Sequence, residues 1–496
     1  MRNGERMFKA RSFLMLAVLA AACRPATAPT PMSISSGSRA GLRTFIDSMA
    51  DAPEFSNAHW GILIVDPARG DTLYSRNAGK LFMPASNMKI PTSATALTQL
   101  GPNYRYRTTF AARGRIADGT LDGDLLVIGR GDPSVSDHML KNAMIPLRLI
   151  ADSLAAKGIK RITGRVLPYG DAFPGDVFGY GWTYADFEDS YSAPIDELLF
   201  NEGFSTALVR GAAQAGTPAT ITPGPAPFSF RGSVATVERQ AGDSTRMTRV
   251  RTRKDSTTWQ EIFSGQIVVN DTTTVEVTHH DPDQAYVNAM TEALKARGIE
   301  IGGSAETSAG TIDTLATLSS PPLSEILKAL LKPSQNQIAE MLFRTIALEK
   351  YGAGRPDSAA VAVRAQLAQW GVPDNEAVIR DGSGLSRYDY ITPRTLVRIF
   401  AAMRKSPHFQ VYYDALPIGG VDGTIRNRMK GTPAENNVHA KTGSVALSRS
   451  LSGYVTTADG QMLIFSFLSN NWTVPTRAVE RVQDAIAARL AGMRLR

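Results

Sequence analysis

The chain has 496 residues, with 54 Lys and Arg against 46 Asp and Glu, a formal net charge of +8, and a hydrophobic content of 43% that suits a globular protein of about three domains. A single cysteine excludes an intramolecular disulfide, a Cys-x-x-Cys redox pair and a multi-cysteine metal centre, and the six histidines form no His-Glu-x-x-His set, so neither metal nor cofactor is expected. The positive charge fits an anionic partner surface such as a cell wall or a membrane face; because Lys and Arg are dispersed without an aromatic-basic motif, nucleic acid is not expected as a partner.

Arg2, Arg6, Lys9 and Arg11 precede an apolar run over 13–22 that ends in three alanines. A basic start, a short apolar stretch and small residues mark a secretory signal, and the run falls short of the roughly 20 residues that a membrane span needs. The expected location is therefore outside the cytoplasm, in the periplasm or cell envelope. Cys23 follows the alanines and resembles the cysteine of a bacterial lipobox, although Leu19 stands four residues before it where three is usual. Lipidation of Cys23, with membrane attachment through it, and plain cleavage after an Ala-x-Ala site both remain open. Residues 24–41, rich in Pro, Ser, Thr and Ala, read as a flexible tether.

Strands are predicted over 61–66 and 72–76, with a turn between them. A buried helix follows to residue 100, with Pro91 tolerable only in its first turn. Residues 105–304 alternate short strand patterns with Asp-Gly, Gly-Asp-Pro and Pro-Gly turn signals. They read as a β-rich insertion, with a smaller nested module near 205–275 and a closing helix over 286–297. Helices are then predicted over 323–331, 335–349 and 358–370. A hairpin over 450–456 and 461–469 turns at Asp459 and Gly460, and a terminal helix spans 477–490. The two ends share one character, so 42–104 and 305–496 are expected to form a single α/β domain split by the insertion.

Three short motifs carry chemistry. Ser86 and Lys89 form the chain's one Ser-x-x-Lys, Ser334 and Asn336 a Ser-x-Asn, and Lys441, Thr442 and Gly443 its one Lys-Thr-Gly, followed by Ser444. Any one alone reads as a helix cap, an exposed lysine or a turn. Two other Ser-x-Asn-like matches compete: 469–471 lies after Lys-Thr-Gly, and 286–288 lies in the insertion. The order of the three motifs is that of the penicillin-binding, β-lactam-recognising serine enzymes. Residues three apart on a helix share a face, so Lys89 can approach the Ser86 hydroxyl. A serine needs an adjacent base, and a lysine amine serves once burial or a second cation lowers its pKa; Lys441 is the candidate cation. Ser334 can relay a proton, Asn336 can hold an acyl group, Gly443 admits close approach of substrate backbone, and Thr442 and Ser444 offer hydroxyls to a carboxylate.

Ser86 and Ser334 lie 248 residues apart, wider than in class A β-lactamases. The gap resembles that of the D-alanyl-D-alanine carboxypeptidase/endopeptidase family S13, the class C low-molecular-mass penicillin-binding proteins. Stretches 125–133, 192–194 with Asn201 and Glu202, 381–387, 416–424 and 451–454 match the same family. The resemblance covers about 42–490 and is weakest between 205 and 275. It implies a transpeptidase-like, β-lactamase-like α/β (α+β) fold with a domain inside a domain. It implies peptidoglycan stem peptides as substrate, β-lactams as inhibitors, and acylation of Ser86 by the penultimate D-Ala with Lys89 as base. Ser86 and Ser444 backbone N–H groups would form the oxyanion hole. Asp186 would pair the amino group of a diaminopimelate side chain, Tyr191 would form a wall, and Arg387 would face a carboxylate or carbonyl. Gln335, at a variable middle position, is expected to be neutral. The alternatives are a related serine esterase or D-peptidase and a non-catalytic wall-binding lipoprotein; carboxypeptidase and endopeptidase are not separated.

Overall fold

In the computed structural model the described residues are 39–187, 189–224, 228–239, 248–254, 260–303 and 311–495. Cys23, the signal-like stretch and the tether up to residue 38 lie outside them. The two ends of the chain meet in one antiparallel sheet. Its order is His439–Val445, Ser448–Thr456, Met462–Asn470, His59–Asp66 and Asp71–Arg76. The junction runs from His59 opposite Asn470 to Val65 opposite Ile464.

Side chains alternate across a strand, and this sheet is buried on both faces. Ile62, Ile64, Leu451, Phe465 and Phe467 pack with Leu42 and Ile46 of the helix Arg39–Ala50 and with Val482, Ile486 and Leu490 of Thr476–Gly492. Leu63, Tyr454, Ile464 and Leu468 face the other way, against Ile90 and Leu97 of Lys89–Leu100, Leu342 of Asn336–Tyr351 and Phe400 of Pro393–Lys405. The result is a helix–sheet–helix sandwich of the α/β class. Among the described residues no helix is long and apolar enough to cross a membrane.

Between the first half of this sandwich and the second lies another sheet, ordered Glu300–Ile301, Arg161–Ile162, Thr120–Ile128, Arg107–Ala117, Ile312–Ser319. It packs on the helices Met144–Ala156 and Pro282–Ala296 through Leu125, Val127, Leu147 and Met290. Strands between 204 and 278 enclose a small core of their own around Ala207, Val209, Phe263 and Ile267.

Several expectations need correction. Besides the expected closing helix, the middle of the chain holds a further, half-buried helix, Met144–Ala156, which carries Pro146 in its first turn. The strand Ile312–Ser319 pairs with Arg107–Ala117, so the inserted sheet continues past the boundary expected at 304. Residues 39–41 of the expected tether are helical, since Leu42 and Ile46 anchor that helix to the sheet. Helices Pro393–Lys405 and Phe409–Ala415 were not anticipated. The first is capped by Thr392, whose hydroxyl accepts from the N–H of Thr395 at 3.0 Å, with Pro393 following it in the first turn.

Burial predicts a steep contrast between two isoleucines, Ile64 of the central sheet and Ile116 of the inserted sheet. Ile64→Ala, fully buried, should cost about 2–5 kcal/mol, read as a lower denaturation midpoint. Ile116→Ala, at 43% exposed, should stay within about 0.5 kcal/mol. Equal shifts would contradict the packing described.

Candidate active site

Ser86 occupies a single 3-10 turn, Ala85–Met88, that runs directly into the helix Lys89–Leu100. Pro91 lies in the first turn of that helix, where a missing N–H is harmless. The entry to the turn is tight. Ala85 is left-handed with φ 49°, and a Cβ on Gly384 would lie 1.9 Å from its carbonyl oxygen. The Lys-Thr-Gly strand closes the other side. Ser450 Oγ donates to Pro84 O at 2.8 Å and Asn87 Nδ2 to Lys441 O at 2.9 Å. A Cβ on Gly443 would come within 2.4 Å of Pro84 O, so only glycine lets strand and turn meet. This strand is the last of its sheet, as an edge strand must be to receive a peptide alongside it.

Lys89 is fully buried. Its amine lies 2.9 Å from Ser86 Oγ, 2.6 Å from Asn336 Oδ1 and 2.8 Å from Ser383 O. Asn336 Nδ2 donates to Tyr191 O at 2.8 Å, which fixes the amide so that its oxygen faces Lys89. Asn336 Oδ1 and Ser383 O can only accept. A neutral amine has two N–H groups for those two acceptors and one lone pair, which is left for the Ser86 hydroxyl. Burial pushes the Lys89 amine down to about 7, against the opposing pull of Asp381 and Glu340.

Lys441 is also fully buried; its amine donates to Ser334 Oγ at 2.7 Å and Thr442 O at 2.9 Å. Burial and the charge of Lys89 push it well below the usual lysine range. Of the two causes left open in the sequence, burial or a second cation, it is burial that acts on Lys89.

Ser334 has φ 70° and enters the helix Asn336–Tyr351 through Gln335, whose Oε1 accepts from the N–H of Gln337 at 2.8 Å. A cleft of about 470 Å³ opens over these groups and is lined by Ser86, Ser334, Asn336, Thr424, Thr442 and Ser444, with Asp186, Tyr191 and Arg387 on its wall. Asp186 accepts from Tyr191 Oη at 2.8 Å and from Thr183 Oγ1 at 2.5 Å. Arg387 is held at its backbone by Gly181 O at 3.2 Å. The competing Ser-x-Asn matches lie elsewhere. Asn470 is a brace on Met83, and Tyr286 is buried in the helix Pro282–Ala296.

Several site groups escaped the sequence reading. Thr424 Oγ1 accepts from Thr442 Oγ1 at 2.7 Å. Glu340 accepts from the N–H groups of Gly382 and Ser383, and Asp381 from those of Ser383, Gly384 and Ser386. These two carboxyl groups aim the Ser383 carbonyl at Lys89. A signal existed: Asn336, Glu340 and Arg344 recur every four residues on a helix whose other buried side chains, apart from Gln337 and Thr345, are apolar, so they share one face. Away from the cleft, Asp196, Glu197 and Asp283 bring carboxylate oxygens within 4.8 Å of one another. Burial and the neighbouring carboxylates push Asp196 up to about 7 and Asp283 up to about 8.

A family model described as the D-Ala-D-Ala carboxypeptidase 3 (S13) family matches residues 42–493. The chain belongs to this family. Its activity class is that of a serine-type D-Ala-D-Ala carboxypeptidase. A D-alanyl-D-alanine carboxypeptidase from Actinomadura sp. is 34% identical over 466 residues, covering 91% of this chain and 84% of the relative. D-alanyl-D-alanine carboxypeptidase DacB from Haemophilus influenzae is 26% identical over 440 residues, covering 85% of this chain and 87% of the relative. The crystal structure of penicillin binding protein 4 (dacB) from the same organism shares the fold, with a TM-score of 0.76 at 22% identity over 90% of this chain and 99% of that one.

The S13 site predicts a pH profile. The free base of Lys89 is lost as pH falls through about 7, so acylation should slow below that point and level off above it. The drop approaches about tenfold per pH unit. A second-order acylation rate constant that is flat from pH 5 to 8 would exclude Lys89 as the base.

Proposed function

We propose that Ser86 Oγ attacks the carbonyl carbon of the penultimate D-Ala of a peptidoglycan stem peptide while its proton passes to Lys89 Nζ. The observation that carries this reading is the amine of Lys89, placed between the Ser86 hydroxyl and two acceptors that leave its lone pair for that proton. Backbone N–H groups of Ser86 and Ser444 hold the oxyanion. The C–N bond then breaks, and the leaving D-Ala amine takes a proton through Ser334, which Lys441 hydrogen-bonds. The acyl-enzyme ester on Ser86 is hydrolysed by water, returning the serine. Thr442 and Ser444, with Thr424 behind them, receive the terminal carboxylate. One N–H of Asn336 Nδ2 is taken by Tyr191 O, and the other is left for the acyl carbonyl.

A β-lactam presents the same carbonyl geometry, so ring opening by Ser86 leaves a stable acyl-enzyme. The Haemophilus influenzae protein of this fold has been crystallised with a β-lactam. Asp186, Tyr191 and Arg387 place a carboxylate, an aromatic ring and a guanidinium on one wall, suited to the zwitterionic end of a diaminopimelate side chain. The inserted part of the chain, whose sheet continues through Ile312–Ser319, contributes Asp186 and Tyr191 to the cleft.

Incubation with purified muropeptides, followed by mass analysis, tests the activity. Loss of one D-Ala from pentapeptide monomers is expected, and conversion of dimers to monomers adds endopeptidase action. Ser86→Ala should abolish both D-Ala release and covalent labelling by fluorescent penicillin; either one persisting would sink the mechanism.

The enzyme works in the cell envelope, exported by the signal and held there by a lipid on Cys23. Growth with labelled palmitate should mark the wild-type chain and not Cys23→Ala. An unlabelled wild type would leave Cys23 as part of an ordinary cleavage site.

A further inference from the structure

Three consecutive side chains at the Ser-x-Asn turn reach the same neighbour. Gln335 Nε2 donates to the Glu202 carboxylate, Asn336 Nδ2 to Tyr191 O at 2.8 Å and Gln337 Nε2 to Ser190 O at 2.7 Å. All three acceptors lie between residues 190 and 202, on the segment that also carries the Tyr191 wall. Gln335 is engaged at every polar group described for it. Its Oε1 caps the N–H of Gln337 at 2.8 Å, and its own N–H donates to Leu330 O at 2.9 Å. A residue at a variable motif position is thus the one that ties the helix start, the preceding helix and the inserted segment together.

The partner is equally constrained. Glu202 is 5% exposed and left-handed with φ 58°, and Asn201 before it has φ 49°. Non-glycine residues hold that conformation only where the surroundings over-determine it. Burial pushes the Glu202 carboxyl upward, while His138 and the Gln335 amide favour its ionised form. Across the hydrogen bond, Ser334 is itself left-handed with φ 70°, and its hydroxyl meets the Lys441 amine at 2.7 Å.

We propose that Glu202 is a positioning residue for the acyl transfer: through Gln335 it holds the left-handed Ser334 turn so that the Ser334 hydroxyl stays on the Lys441 amine. The inference rests on the role of Ser334 proposed above. Glu202 touches no substrate and acts through the Gln335 amide.

A charge-swap series tests the pair by the second-order rate constant for penicillin acylation, with the melting temperature as control. Gln335→Glu keeps the size of the side chain and the cap on Gln337 but sets two carboxylates against each other. It should slow acylation roughly ten- to a hundredfold, the scale of a misplaced reacting group. The double variant E202Q/Q335E restores one donor and one acceptor with their places exchanged, and should recover most of the rate. Glu202→Gln alone keeps an acceptor oxygen for Gln335 and should stay near wild type. A Gln335→Glu enzyme that acylates at the wild-type rate, or a double variant as slow as the product of its singles, would overturn the proposal. So would a rate that merely follows the melting temperature. Ser334→Ala separates the two readings. If it acylates normally, the role of Ser334 fails and the pair fails with it. If it is slow while Gln335→Glu is normal, the pair alone fails.

Discussion

A lysine amine that must take up a proton can make only two hydrogen bonds as donor, and the surroundings of Lys89 supply two acceptors. Asn336 Oδ1 and Ser383 O both face the nitrogen, and neither can donate. The Ser86 hydroxyl is the remaining neighbour, and it can donate. Much of the architecture around the cleft keeps this arithmetic true. The Tyr191 carbonyl prevents the Asn336 amide from turning round. Glu340 and Asp381 hold the backbone of 382–386 so that the Ser383 carbonyl cannot swing away. Either change would present a donor to the amine, or remove an acceptor from it, and the lone pair would no longer be directed at the nucleophile.

Two buried amines within one cleft raise an electrostatic problem. Desolvation disfavours each ammonium, and the charge of Lys89 disfavours that of Lys441 again. The carboxyl groups of Asp381 and Glu340 favour the charged form of Lys89, yet burial outweighs them and leaves its amine at about 7. An amine at about 7 can hold and release a proton near neutral pH, as the proposed role of Lys89 requires. Ser334 then joins the second amine to the leaving-group side of the cleft without adding a further charge.

The sequence was most readable where a motif and a local period coincide. Ser86 and Lys89 are one turn apart, and the helix start, the tight glycine at 443 and the terminal hairpin follow from residue type and spacing. The carbonyl of Ser383 was not readable, because backbone atoms carry no letter of their own and its direction is set in part by Glu340, 43 residues away in sequence. Gln335 looked neutral for a related reason. Its partner Glu202 lies 133 residues away in a segment whose fold had no clear period. Met144–Ala156 was lost among turn signals, and Ile312–Ser319 was assigned to the wrong side of a boundary because strand pairing is decided by a distant partner.

The central sheet joins the first strand of the described chain to its last, with His59 opposite Asn470. The nucleophile turn leans on that late-made part. Pro84 O is capped by Ser450, and Asn87 is bonded to the backbone of Lys441. Ser86 is therefore translated early but has neither the strand His439–Val445 nor the Lys441 amine in its cleft until the C-terminal part of the chain arrives. Contacts this distant in sequence form late in folding. A chain still being made thus carries Ser86 beside an unfinished cleft, which is whole only when the last strand docks.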